Sequence, residues 1–288
     1  MKMAKVAAVQ MEICSEKEKN LNKAKTLLEQ AAAAECRLAC LPEYFLADCP
    51  EAGMTKAEIE AQAEPIPGPA SEFLGEIAKR TGMYICSGSY LEKRKDGLLQ
   101  NSSSLIGTDG KIIGTYQKTH PENAPPKFEF GWNIRPGDDY PVFDTAIGKI
   151  GIILDMDAIA AEPARIEYVR GAEIILWCVN WSARWISPLE YLPGGHSIMN
   201  KVWFVTANRV GLRKSPNGTY LYNGGSKINN PEGFIVSRAN DFHEGLSIAE
   251  CDMEMLREWR NVIIPRDYPL RRRPETYGAL VEPRKGSV

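Results

Sequence analysis

Nowhere in the 288-residue chain is there a run of about 18 uncharged apolar residues, so no helix is expected to span a membrane. An excess of charge of either sign is missing too. Lys and Arg number 35 against 37 Asp and Glu, a formal net charge of −2. A nucleic-acid binder needs clustered positive charge, so that class of partner is excluded. The one dense basic run, Arg271-Arg272-Arg273, reads as an ion-pairing or oligomer-contact segment rather than an anion site. No CxxC pair occurs among the seven cysteines, at 14, 36, 40, 49, 86, 178 and 251. Zinc-site and thioredoxin-like readings therefore lack support, and neither a metal nor a cofactor is expected. Several thiols lie within apolar runs, as in Ile85-Cys86 and Trp177-Cys178-Val179, where a thiol behaves as a small hydrophobe. Free thiols in a long chain predict a reducing compartment. The opening MKMAKVAAVQMEIC is too short and too quickly charged to read as a signal peptide. A cytoplasmic setting is the expectation.

What is present is a chain 44% hydrophobic, long enough to bury a large core. Strand and helix signals alternate. Lys5–Met11 is β-rich, and Leu21, Ala24, Leu27, Leu28 and Ala31 mark a helix over Glu16–Ala34. A buried strand follows over Arg37–Leu41, then a helix over Ala70–Thr81 started by Pro69 and stopped near Gly82. Met83–Ser89 reads as a strand, and Thr108-Asp109-Gly110 predicts a hairpin between Ser102–Ile106 and Lys111–Tyr116. Further on, strands are expected over Pro141–Asp144, Lys149–Leu154, Glu173–Val179, Val202–Asn208 and Leu246–Cys251, with a second hairpin joining Gly224–Asn229 to Gly233–Arg238. Helices are expected over Pro163–Arg170, part of Pro188–Asn200, and Met253 to Arg260. No repeat or linker divides the chain, which predicts one layered α/β domain, sheets inside and helices outside. Its expected bounds are 1–266, with 267–288 an extended tail packed on the domain or on a partner subunit. The longest loop, Gln117 to Asp139, carries Phe128, Phe130 and Trp132 among several prolines, and a loop of that kind is more often functional than idle.

Three polar residues stand at the C-terminal ends of buried apolar strands. Glu43 follows Leu38-Ala39-Cys40-Leu41-Pro42, Lys118 follows Ile112 to Tyr116, and Asp155 follows Ile150 to Leu154. Ligands of α/β sheets bind beyond those ends. Spacing alone leaves plainer roles open: a helix N-terminal charge, a surface lysine, and a cap at a loop entry.

A resemblance narrows these alternatives. Lys5-Val6-Ala7-Ala8-Val9-Gln10-Met11 is similar to the opening strand of the nitrilase superfamily. Leu41-Pro42-Glu43-Tyr44-Phe45 resembles its glutamate motif, and Gly114-Thr115-Tyr116-Gln117-Lys118-Thr119-His120 its lysine motif. Gly148-Lys149-Ile150-Gly151, Asn180-Trp181, Ala207-Asn208-Arg209-Val210-Gly211, Gly224-Gly225-Ser226 and Arg272-Arg273-Pro274-Glu275-Thr276-Tyr277-Gly278 follow in the family's order. The match runs from about residue 3 to 280 and looks closest to the amidase and N-carbamoyl amidohydrolase branch.

The resemblance implies a four-layer αββα sandwich that assembles as a homodimer or higher homo-oligomer. It also implies hydrolysis of a small amide, N-carbamoyl compound or nitrile without a cofactor. Glu43 would be the general base, Lys118 the cation that stabilises the developing oxyanion, and a cysteine thiolate the nucleophile. In the family's place for that cysteine this chain has Asp155, a register fixed by Asp157 and Glu162. Two further departures stand beside it. Pro126 replaces an auxiliary glutamate ahead of Lys127-Phe128-Glu129-Phe130, with Glu122 and Glu129 nearby but out of register, and His196-Ser197-Ile198-Met199-Asn200 replaces an Arg-Ala-x-Glu-Asn stretch. Three explanations of Asp155 stay open: changed or lost chemistry in a ligand-binding homologue, a substituted or modified cysteine, and hydrolysis by another route. Trp181, Arg184 and Glu129 are expected to contact substrate, Arg184 through a substrate carboxylate.

Overall fold

Strand β1 (Met3–Glu12) is buried on both faces. Val6 and Ala8 point into a core shared with a second sheet, while Ala7, Val9 and Met11 point the opposite way onto helices. Such period-two burial marks a strand covered on both sides. The computed structural model describes residues 2–51, 53–122, 129–215, 218–263 and 272–282, and within them this pattern is built twice.

The first sheet holds β1, β2 (Leu38–Cys40), β3 (Tyr84–Cys86), β4 (Tyr90–Lys93), β5 (Leu99–Ile106) and β6 (Ile112–Gln117). Its centre, β1-β2-β3, is parallel, and β5 runs antiparallel to β3, β4 and β6. The second sheet holds β7 (Val142–Thr145), β8 (Gly148–Leu154), β9 (Ile174–Val179), β10 (Trp203–Ser215), β11 (Gly218–Asn223), β12 (Lys227–Asn229) and β13 (Ile235–Arg238). Here β8-β9-β10 is the parallel centre, with β7, β12 and β13 antiparallel outside it. A last strand, β14 (Gly245–Asp252), returns to pair antiparallel with β1 along its length.

Facing rows from the two sheets interdigitate: Leu38, Cys40, Tyr84 and Cys86 on one side, Ile150, Ile152, Leu154, Ile174, Leu176 and Cys178 on the other. The outer face of the first sheet is covered by α1 (Lys17–Ala33) and α3 (Pro69–Thr81), through Ala24, Leu27, Leu28, Leu74 and Ile77. Between these two in sequence lies the short α2 (Lys56–Gln62). The outer face of the second sheet takes α4 (Glu162–Val169) and α5 (Ile186–Asn200), through Ala164, Tyr168 and Leu189. A short α6 (Met253–Glu258) follows β14. The layers are therefore α-β-β-α, the architecture that the resemblance implies.

Helix α2 and strands β4 and β11 lie outside the elements expected from the sequence, and β10 is longer than expected. Helix α2 opens with a capping box, Thr55 accepting from the Glu58 amide while Glu58 accepts from Thr55, a legible start signal. Strand β4 lies beyond the expected strand Met83–Ser89, β11 falls where no strand is expected, and β10 runs past Asn208 to Ser215. The charged Arg213-Lys214 stretch of β10, Arg213 buried and Lys214 exposed, is held by β11, from Val210 opposite Asn223 to Ser215 opposite Gly218. Gln117 ends β6 rather than opening the loop. The loop stretch 123–128, Arg271 and the expected domain boundary at 266 lie outside the described residues. No helix among the described residues is long and apolar enough to cross a membrane.

Candidate active site

Glu43, Lys118 and Asp155 leave their strands at one end of the sandwich, from β2, β6 and β8. Each is fixed by backbone contacts. The Glu43 amide donates across the sandwich to the Val179 carbonyl at 3.3 Å, and the Lys118 amide donates to the Asn101 carbonyl at 2.9 Å. Asp155 has φ +43°, a left-handed conformation that a short polar residue tolerates and that takes the chain sharply out of the strand. The Trp177 indole N–H donates to its carbonyl at 3.0 Å, holding the turn.

Asp157 ties two of these ends together. It accepts from the Leu154 amide at 2.9 Å, the Tyr116 hydroxyl at 2.6 Å, the Thr119 hydroxyl at 2.9 Å and the His120 amide at 3.0 Å. The exit of β8 is thereby bolted to the exit of β6. His196, the other altered position, is buried on α5, pairs through Nε2 with the Ala158 carbonyl at 2.8 Å and stacks on Phe204. It supports the turn after Asp155 and does not line the cavity.

At the centre stands the Lys118 ammonium. Its Nζ donates to Glu43 Oε1 at 3.1 Å, Glu129 Oε2 at 2.8 Å and Asp155 Oδ2 at 2.6 Å. An ammonium has three N–H donors, and each has its own carboxylate. The side chains of Lys118, Glu43, Glu129 and Asp155 are only 2, 2, 3 and 9% exposed. Glu129 reaches the lysine from a short 3-10 turn, Glu129–Trp132. It also accepts from the Tyr44 hydroxyl at 2.6 Å, from Asn101 Nδ2 at 2.8 Å and from the Glu122 amide at 2.6 Å. Asn101 Nδ2 in turn bridges to Glu43 Oε1 at 2.8 Å.

Burial, together with the Asp155 charge, pushes the Glu43 carboxyl well above the usual carboxylate range, against the pull of Lys118. Burial raises Asp155 as well, and Lys118 opposes that rise. Burial by itself would lower Lys118, but Asp155, Glu129 and Glu43 together hold it well above its ordinary value. The carboxylates thus hold the lysine in its charged form, and Glu43 is pushed toward its protonated form by burial and by the Asp155 charge beside it. Three carboxylates with one vacant centre would attract a metal ion. Here the ammonium already fills that centre.

The cluster forms the floor of a cavity of about 390 Å³. Trp181 and Trp185 make one wall, with ring centroids 5.5 Å apart, and Tyr44, Tyr220 and Tyr222 also line it. Asn208 holds Trp181 in place, accepting from its amide at 3.0 Å and donating to its carbonyl at 3.1 Å. Arg184 lines the same cavity from the exposed turn Ala183–Trp185. Arg213, which also lines the cavity, is committed to Asp48 at 3.1 Å and Glu51 at 2.6 Å. All six residues expected at the site thus share this cavity. Sequence reasoning missed Asn101, Tyr44, Arg213 and the tyrosines of β11. A signal for Asn101 was present: Gln100-Asn101-Ser102-Ser103-Ser104 is a wholly polar run inside a buried strand.

The sequence model for carbon–nitrogen hydrolases matches residues 5–261. The chain belongs to the carbon–nitrogen hydrolase family. A nitrilase of Pyrococcus abyssi is 34% identical over 265 residues, covering 90% of this chain and 93% of its own length. The omega-amidase NIT2 of Danio rerio is 29% identical over 268 residues, covering 90% and 92%. Among solved structures, a carbon-nitrogen hydrolase from Helicobacter pylori G27 superposes with a TM-score of 0.84 at 25% identity, covering 98% of this chain and 99% of that one. This carbon–nitrogen hydrolase therefore has the fold of its family, with an aspartate turned into its cavity at the end of β8.

Proposed function

We propose that this carbon–nitrogen hydrolase takes a small amide, N-carbamoyl compound or nitrile into the Glu43–Lys118–Asp155 cavity and does not process it through a covalent acyl-enzyme. The observation that carries this reading is the 2.6 Å contact between Asp155 Oδ2 and Lys118 Nζ. It uses the third donor of Lys118, leaving none for a developing oxyanion. A carboxylate tied to an ammonium is a poor nucleophile, and attack on an amide would form an anhydride at high cost. Glu43, protonated, donates a hydrogen bond to the ligand's carbonyl or nitrile nitrogen. Glu129 holds Lys118 in place, Trp181 forms an apolar wall, and Arg184 pairs with a ligand carboxylate. The ligand class rests on the relatives, one described as an omega-amidase and one as a nitrilase. The working unit in this reading is a homodimer or larger homo-oligomer in the cytoplasm, with residues 1–266 as the hydrolase domain and 267–288 as a packing tail.

A second reading is favoured by one observation, that Glu43 is raised well above its usual range while Asp155, also raised, sits directly on the cation. Neighbouring carboxyls held in different protonation states make an acid and a base. Asp155 would then activate a water, and Glu43 would protonate the leaving nitrogen. An ammonia-release screen over amides, N-carbamoyl compounds and nitriles, run beside calorimetric binding, separates the two. Binding without ammonia by the native chain, and turnover by Asp155→Cys, is the expected result. Native turnover that Asp155→Asn abolishes would replace the first reading with the second.

A further inference from the structure

Behind the pocket floor lies a group of side chains that the proposed chemistry does not use. Cys40 and Cys86 are register neighbours on the parallel strands β2 and β3, so their side chains leave the same face side by side. Cys178, on β9, meets them from the opposite sheet. Its Sγ lies 3.6 Å from that of Cys40 and 3.7 Å from that of Cys86, and all three sulfurs fall within 4.8 Å of one another. All three residues are fully buried, and none is in a disulfide.

We infer that Cys40, Cys86 and Cys178 form a binding site for a soft closed-shell cation, with Cu(I) the best fit. Metal–sulfur bonds of about 2.3 Å in a trigonal arrangement set sulfurs about 4 Å apart, against 3.6 and 3.7 Å for two of the pairs here and no more than 4.8 Å for the third. Purely sulfur donors select soft ions over magnesium, calcium or manganese. Zinc completes a tetrahedron in its structural sites, and the surroundings here do not supply its fourth ligand. Leu38, Leu105, Leu154 and Leu176 share this core, and the nearest hydroxyl, Ser103 Oγ, sits 3.4 Å from Cys86 Sγ. Cu(I) is satisfied by two or three sulfurs. On binding, two thiols lose their protons to solvent as two copper–thiolate bonds form, and the third sulfur coordinates as a thiol. No electron is transferred, and the net charge brought into the core is one negative unit rather than two, which limits the desolvation cost.

Place adds to composition. Cys40 lies three residues before Glu43, and Cys178 is the register partner of Leu154, the residue before Asp155. An ion here would cross-link the two sheets directly beneath the pocket. The inference goes beyond the proposed function and is tested without reference to turnover.

The test uses the reduced full-length chain under anaerobic conditions, titrated with Cu(I) held by bicinchoninate. It is run on the folded protein and on protein refolded with Cu(I) present. One Cu(I) per chain should be withdrawn from the chelator, with a near-ultraviolet thiolate-to-copper band. Cys40→Ser, Cys86→Ser and Cys178→Ser should each weaken binding at least about 100-fold, the upper range for losing a mere outer-shell partner. Cys14→Ser and Cys251→Ser should leave it unchanged. Where a serine variant fails to fold, alanine at the same position keeps an apolar core and serves instead. Copper that stays with the chelator in both arms, or binding that survives all three substitutions, overturns the inference.

Discussion

Asp155 and Lys118, from strands in opposite sheets, are joined by a 2.6 Å hydrogen bond between buried charges. The bond closes the end of the sandwich at its most hydrophilic point. Its chemistry depends on which atom stands at position 155. A thiolate there would be a nucleophile beside a cation, whereas a carboxylate neutralises the cation.

Replacing Asp155 with cysteine should therefore release Lys118 and supply a nucleophile in one step. Ammonia release from a small amide should rise by between about 10² and 10⁶-fold, the upper figure being the loss when a hydrolase's nucleophile is removed. Intact mass after rapid quench should detect an acyl adduct on the new cysteine. An inert Asp155→Cys chain that still binds the amide would place the defect elsewhere in the pocket.

Lys118→Met removes the cation that stands among three buried carboxyls. Breaking a buried ionic cluster from one side costs about 3–5 kcal/mol, to be measured by urea denaturation at neutral pH. The loss should shrink as pH falls, because Glu43 and Asp155, both raised by burial, take up protons and then need the ammonium less.

Glu167 gives a pH effect separate from the pocket. Burial, with the nearby Asp157 charge adding to it, holds its carboxyl well above the usual carboxylate range. Oε1 accepts from the Ile152 amide at 2.9 Å, while Oε2 has no hydrogen-bond partner. The folded state thus binds a proton that the unfolded state has released. The contribution of Glu167 to stability is full below about pH 4.5 and falls as pH rises toward its folded pKa. Glu167→Gln imitates the protonated form and should cost less than about 1 kcal/mol at pH 7. Its denaturation midpoint should gain on the native chain as pH is raised from 4.5, and a parallel pH profile would show that Glu167 is ionised in the fold.

Gly88 sets the position of Glu43 from below. Its φ is +65°, and a Cβ there would meet the Pro42 carbonyl oxygen at 2.0 Å and that of Leu41 at 2.8 Å. Both obstacles are backbone, so relief requires moving the segment that carries Glu43. Gly88→Ala should lose more than about 2 kcal/mol, with overpacking and left-handed strain adding. Ligand affinity should fall with it, and calorimetry on the folded fraction would detect that. Unchanged affinity would mean that Glu43 does not need this support.

Much of this was legible in the sequence. Polar residues at the ends of apolar strands singled out Glu43, Lys118 and Asp155, but a helix N-terminal charge, a surface lysine and a loop-entry cap stayed open for them until the resemblance narrowed the choice. Period-two burial likewise marked the strands that form the layers. Glu129 shows where register counting stops working. It lies out of line in sequence, but the turn Glu129–Trp132 delivers its carboxylate to Lys118, and distance along a loop does not fix distance in space. Asp157 was legible only as a marker of register, since its ties to Tyr116, Thr119 and His120 depend on β6 and β8 ending together. The cysteines illustrate the same limit. Cys86 and Cys178 read as small hydrophobes within apolar runs, and only the facing of two sheets makes them neighbours of Cys40.

Strand β10 serves both sheets: its first half lies between β9 and β12, and its continuation meets β1 at Met11 and Glu12. The sandwich is therefore stitched by backbone pairing along one edge and joined through side chains along the other, where β6 and β7 lie, Asp157 and Asp155 among them. Opening fluctuations follow the hinge that the stitching defines. Amide hydrogens of β1 and β10 should exchange with solvent last, at the rate of global unfolding, and those of β6 and β7 earlier, by local opening. Lys118 emerges from the fast side and Glu43 from the slow side. Each such breath would pull the lysine from its acids, so the pocket's charge balance is renewed on the timescale of the sheet edge rather than of the whole fold.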